Sequence, residues 1–126
     1  ESMSIKDTFS SNFVAWGDGK RLEVIFECEE LSHFEELDFS KATLFDNGAK
    51  FIAKCSYLKN LKRLDLSRAS IGDAGVKALA KSPHLTNLEE LKLGYNPDIT
   101  TKGYKAIVES TTLSTAIKKK YRKKAK

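Results

Sequence analysis

Lys41, Arg68 and Tyr95 stand at intervals of 27 residues in a chain of 126, each just past a run of alternating apolar and polar side chains. An ammonium, a guanidinium and a phenol with no carboxylate among them would attract an acidic or phosphorylated group, and Arg and Tyr are favoured anchors at protein interfaces. A second cationic group lies at residues 118–126, KKKYRKKAK, where Lys118, Lys119, Lys120, Arg122, Lys123, Lys124 and Lys126 follow one another without an acid. Such a run can bind the phosphates of nucleic acid or an anionic lipid surface, with strong dependence on salt. Tyr121 is its one side chain able to stack on a base, and no RNA-binding fingerprint accompanies it. The plainer reading of this run is a disordered, solubilising end.

Catalytic chemistry has little to stand on. There is no G-x-S-x-G, P-loop, H-E-x-x-H or G-x-G-x-x-G, and GDGK from Gly17 lacks the strand and spacing of a phosphate loop. His33 and His84 belong to no i, i+4 pair, so no metal, cofactor or catalytic group is expected.

The elements that would position the cationic residues emerge from self-comparison. FEELDFSKA starts at Phe34, LKRLDLSRA at Leu61 and LEELKLGYN at Leu88, each 27 residues after the last. Apolar residues hold the first, fourth and sixth places of each: Phe34, Leu37, Phe39; Leu61, Leu64, Leu66; Leu88, Leu91, Leu93. That alternation predicts a short strand with one buried face. LFDNGAKFIAKCSYL from Leu44, IGDAGVKALAKSPHL from Ile71 and ITTKGYKAIVESTTL from Ile99 follow at the same period, one residue being inserted near Pro97, and GDGKRLEVIFECEEL from Gly17 is a fourth copy. Val76, Leu79 and Ala80, with Phe51 and Ile52 one copy earlier, form the inward stripe of a helix. Asp46 and Asp73 near the helix starts can accept backbone N–H groups, and Gly48, Gly75 and Gly103 in register predict close packing of the first helical turn on a neighbouring coil. A single coil cannot bury its apolar side, whereas a stack of coils buries a continuous core.

The segments NLKRLDLSRASIGDAGVKALA and NLEELKLGYNPDITTKGYKAI resemble the leucine-rich repeat proteins, whose strand motif is L-x-x-L-x-L-x-x-N/C-x-L, and among them the ribonuclease-inhibitor-like class with a full helix per repeat. The resemblance covers roughly residues 17–113 and implies an α/β fold: a right-handed solenoid, or horseshoe segment, with parallel strands on the concave side and helices on the convex side. It departs at the ninth place, where only Asn96 fits and Ala42 and Ala69 replace the usual Asn or Cys. The expected division is a helical cap over 1–16, with residues 1–2 as an expression scar and Ile5, Phe9, Phe13 and Trp16 as its apolar face; repeats over 17–113; and a C-terminal edge and basic tail over 114–126. Ala116 and Ile117 are expected to begin one more edge strand, which the lysines would protect from edge-to-edge pairing.

The resemblance also implies that protein partners bind the concave face. Stacking the copies gives outward columns: Glu35, Lys62, Glu89; Glu36, Arg63, Glu90; Asp38, Asp65, Lys92; Ser40, Ser67, Gly94; Lys41, Arg68, Tyr95. Adjacent strands lie about 4.8 Å apart, so the first two columns neutralise themselves. Lys41, Arg63, Asp65, Arg68, Lys92 and Tyr95 are the expected partner-binding residues. Cys28 and Cys55 fall at the same repeat position, where neighbouring helices hold Cα atoms about 8–10 Å apart, so a disulfide is not expected.

Composition fits this reading. With 40% hydrophobic and 31% charged residues the chain falls among soluble globular domains. Of its 22 basic residues seven lie in 118–126, leaving 15 against 17 acidic ones, so the formal charge of +5 belongs to the tail. The opening residues carry no secretory signal and no stretch is long enough to span a bilayer, so a reducing, cytoplasmic location is expected. The expected function is a non-catalytic protein-interaction module, monomeric or weakly dimeric through an exposed edge. The alternative is an adaptor for nucleic acid or anionic membrane that works through the tail.

Overall fold

An extended chain sends successive side chains to opposite faces, so the pattern L-x-L buries two leucines and exposes the residues between them. The structure, a computed structural model, describes residues 35–40 and 44–126. In it the pattern forms three short strands: β1 Glu36–Asp38, β2 Arg63–Asp65 and β3 Glu90–Lys92. They pair in parallel and in chain order, with Leu37, Leu64 and Leu91 in register as expected. The helical half, Gly48 included, follows each strand as α1 Phe45–Lys54, α2 Asp73–Ala80 and α3 Thr101–Val108. The expected cap, the copy from Gly17, Cys28, His33, Phe34 and Lys41 lie outside the described residues.

One core joins strands and helices. Leu37, Phe39, Leu64, Leu66, Leu91 and Leu93 are buried against Ile52, Val76, Leu79 and Ile107. Phe51, expected in the inward stripe, is only half-buried; Ala49, Ile52 and Ala53 supply the buried face of α1 beside Gly48. Phe51 lies one position, about 100°, away from Ile52 on the helix, which turns it toward the rim of that face.

Coil-to-coil bonds run forward along the stack. Asp46 in the first turn of α1 accepts the amides of Gly72 and Gly75 at 2.7 and 3.0 Å, so it serves the start of α2. Asp73 in α2 repeats this toward α3, accepting the Thr100 amide at 2.8 Å and the Thr100 hydroxyl at 2.6 Å. The hydroxyl bond, reinforced by backbone amides of Thr100 and Gly103, holds the Asp73 carboxyl below its ordinary pKa. A β-carbon at Gly75 would lie 2.6 Å from Asp46 Oδ1 and 2.9 Å from Ile71 Cγ2, which explains the recurring glycine. Gly75→Ala should therefore cost about 2 kcal/mol by displacing the carboxylate that holds α2. Chemical denaturation reads this loss, and an unchanged midpoint would show that the coils separate without strain.

Buried serines add a second tie at the other helix end. Ser82 Oγ donates to the Ala53 carbonyl at 2.5 Å, and Ser110 Oγ donates to the Ala80 carbonyl at 2.6 Å. Cys55, also buried, occupies the equivalent place in the preceding copy.

The end of the chain corrects the expected edge strand. Residues Thr115–Tyr121 form a helix, α4, followed by a short 3-10 turn at Lys123–Ala125. Ser114 caps α4 by accepting the Ile117 amide at 3.4 Å. Ile117 and Tyr121 are both buried while Ala116 is exposed, which is the i, i+4 burial of a helix and not the alternation of a strand. The basic run is accordingly packed secondary structure, and α4 meets both α3 and β3.

Candidate partner-binding face

Because the buried leucines alternate with polar residues, Arg63, Asp65 and Lys92 all project from the strand face away from the core. The first two outward columns pair between the first two coils, whereas Glu90 of the third lies beside Lys92. Arg63 Nε donates to Glu36 Oε2 at 2.6 Å and Lys62 Nζ lies 3.8 Å from Glu35 Oε2. The bond to Glu36 is the main reason the Arg63 guanidinium is held even more firmly in its charged form. Both pairs are exposed, so they shape the surface more than they stabilise it.

Asp65 has a structural task. Its Oδ1 accepts the Ser67 amide at 2.9 Å, as Asp38 accepts that of Ser40 at 2.8 Å, closing the turn after each strand. The third coil has Lys92 and Gly94 at these two places. Lys92 Nζ is 3.9 Å from Glu90 Oε1. A shallow depression of about 160 Å³ runs across the three strands between these carboxylates and Arg63 and Lys92.

Past the turn, Arg68 and Tyr95 adopt φ of 56° and 59°, left-handed values unusual for side chains other than Gly, Asn and Asp. The Arg68 amide donates to the Gly94 carbonyl at 2.9 Å, which fixes the turn. The Arg68 guanidinium lies 4.5 Å from the centre of the Tyr95 ring, within cation–π range, and Tyr95 is 77% exposed. The structure thus brings together two of the three residues of this column; Lys41 lies outside the described residues.

The turns that carry Arg68 and Tyr95 both rest on Asn96, the Asn at the ninth place of its repeat. It is buried, its Oδ1 accepts the amides of Ala69 and Ile71, and its Nδ2 donates to the carbonyls of Leu66, Leu93 and Gly94.

The C-terminal cations divide. Lys118 is half-buried, whereas Lys119, Lys120, Arg122, Lys123 and Lys124 are exposed. Lys120 lies 5.4 Å from the centre of the Tyr121 ring and Lys124 5.4 Å from that of Tyr104. The two rings stack at 5.6 Å and 18°. Tyr121 donates its hydroxyl to the Leu91 carbonyl at 2.5 Å, anchoring α4 on β3. Burial pushes this phenol up to about 12, with a smaller opposing contribution from the Leu93 backbone. The aromatic pair was legible only as two tyrosines 17 residues apart, since no local periodicity joins α3 to α4. A groove of about 650 Å³ lies between α2 and α3 and is lined by Lys77, Lys81, Lys102, Lys105 and Glu109.

Among the described residues no group of three or more His, Cys, Asp or Glu side chains is placed to hold a metal ion, and no helix is long and apolar enough to cross a membrane. Residues 57–80 and 84–108 match the family model described as Leucine Rich repeat. These two matches coincide with the coils containing β2–α2 and β3–α3 and support a leucine-rich repeat protein, an architecture that implies a solenoid. Leucine-rich repeat domains commonly mediate protein–protein interaction and are generally non-catalytic. No curated protein and no solved structure matches the chain.

Proposed function

We propose that the chain is a non-catalytic protein-interaction module, a right-handed horseshoe segment of the ribonuclease-inhibitor-like class whose concave strand face receives a partner protein. The observation that carries this is the Arg68–Tyr95 pair, stacked at 4.5 Å and held in left-handed backbone at equivalent places of two coils. Left-handed backbone costs an ordinary residue of order 1–2 kcal/mol, and a glycine would serve the turn without it. Retaining a large cation and a large aromatic there is economical only if their side chains have work at the surface. Arg63, Asp65 and Lys92 extend the same face, and α4 packed on β3 favours a monomer over an edge-mediated dimer.

The test is affinity purification from native extract, identification of the retained protein, and measurement of its affinity for purified variants. Arg68→Ala with Tyr95→Ala should weaken that affinity at least tenfold, and Lys81→Ala with Lys105→Ala, in the groove on the helix side, should leave it unchanged. Equal affinities for the wild-type and strand-face variants would overturn the reading. The adaptor for nucleic acid or anionic membrane remains the second reading, favoured by the exposure of Lys119, Arg122 and Lys123 on one terminal segment. It predicts salt-sensitive retention on heparin that Lys119→Gln with Lys123→Gln abolishes.

A further inference from the structure

The third coil departs from the first two where the strand ends, and the C-terminal segment folds over that departure. Lys92 and Gly94 replace the Asp–Ser pair, exchanging a carboxylate for an ammonium and removing a side chain. A β-carbon at Gly94 would meet only Ser67 Oγ, at 3.8 Å, so the space it leaves is open. Tyr121, fixed to Leu91 and stacked on Tyr104, forms the far wall and carries Lys120 and Lys124 with it. The result is a cleft of about 270 Å³ bounded by Ser67, Gly94, Tyr121, Lys92, Lys120 and Lys124, with no carboxylate in its lining.

We propose that this cleft receives a phosphoryl group carried by the partner protein, so that the strand face recognises a phosphoserine- or phosphothreonine-bearing segment. The inference deepens the function proposed above and rests on it. A phosphoryl group carries −1.5 to −2 charges and three acceptor oxygens at neutral pH, and a single carboxylate is a poorer match for a lining of Ser67, Lys120, Lys124 and Lys92, the last also 3.9 Å from Glu90. A phosphorylated protein is favoured over a nucleic acid or a bilayer by what surrounds the cleft. The adjoining strand face is lined by Glu36, Asp38, Asp65 and Glu90 against Arg63 and Lys92, an acidic excess that would repel a continuous track of phosphates while leaving room for a segment with one anion and otherwise basic or neutral side chains. Arg68 and Tyr95 stand on the same face, next in sequence to Ser67 and Gly94.

Amide NMR titration of the full chain tests this, with inorganic phosphate first, then the peptide Gly-Ala-phosphoSer-Ala-Gly and its unphosphorylated form. Saturable shifts are expected at the amides of Leu93, Gly94 and residues 120–124, with the phosphopeptide at least tenfold tighter than its unphosphorylated counterpart. Lys92→Asp with Gly94→Ser restores the pairing that the first two coils already fold with, and it should weaken phosphate binding at least tenfold without unfolding the protein. Lys120→Gln with Lys124→Gln should do the same from the other wall. Shifts that never saturate, or that both variants leave intact, would overturn the inference. So would tighter binding at these amides by oligothymidylate or by phosphatidylserine vesicles. Partner capture that depends on Arg68 and Tyr95 without any saturable phosphate binding would sink this inference alone and leave the proposed function standing. Phosphopeptide binding without such capture would support the cleft and count against the Arg68–Tyr95 face.

Discussion

Asn96→Leu should destabilise the protein by about 4 kcal/mol, although the replacement keeps nearly the same volume. Asn96 is 4% exposed, and it links two coils through one amide group. Its Oδ1 accepts from the Ala69 and Ile71 amides, both at 3.1 Å, and its Nδ2 donates to the carbonyls of Leu66 at 2.9 Å, Leu93 at 3.0 Å and Gly94 at 3.3 Å. Leucine would leave two buried N–H groups without this acceptor, and an unsatisfied buried donor costs about 1–3 kcal/mol. The Gly94 carbonyl keeps the Arg68 amide as a donor, so the carbonyl side adds less. Against a total stability of about 5–15 kcal/mol the loss is large, and a fall in Tm of about 15 °C is expected. Thermal unfolding followed by circular dichroism measures it. A fall of only a few degrees would mean that water enters the turn and replaces the side chain. The neighbouring copy makes this residue more consequential, because Ala69 stands at the equivalent place and contributes only its backbone.

Leu64→Ala should cost about 3–4 kcal/mol, measured as a lower urea midpoint with an unchanged m-value. Leu64 is 1% exposed and lies in register between Leu37 and Leu91 on the middle strand. Removing its branched end leaves a cavity that neighbours on both sides could fill only by breaking the parallel pairing, so collapse is limited and the cost falls in the upper half of the usual range. Arg63→Ala, one residue away but facing solvent, should leave the midpoint almost unchanged, because its bond to Glu36 is exposed. Equal effects of the two substitutions would contradict the division of each strand into a core face and an outer face.

Those two neighbours show why so much of the fold can be read from the chain. Whether Leu64 or Arg63 is buried depends on alternation within one strand, and the repeat of that alternation at 27 residues demands coils of equal length whose strands pair side by side. Asn96 was legible as well, as the one polar residue at its place in the repeat. The Asp38–Ser40 and Asp65–Ser67 turns were present as columns, yet Asp65 reads as a surface contact until its Oδ1 is seen to hold the Ser67 amide. Ile117 and Tyr121 stand at helical spacing, but three consecutive lysines between them suggest a solvated tail and conceal the two apolar anchors.

The sequence by itself determined the period, the buried face of each strand and the parallel order of the strands, because these follow from apolar alternation within each strand, from its recurrence at 27 residues and from the burial of apolar side chains. The tertiary structure decided what meets across the coils: Asp46 holds the amides of α2, Tyr121 reaches the Leu91 carbonyl, and Lys120 and Lys124 come to stand beside Lys92. These meetings join residues 26–32 apart and depend on how far each coil is displaced and turned against the last. Side-chain packing between coils sets that displacement, and no local periodicity carries it.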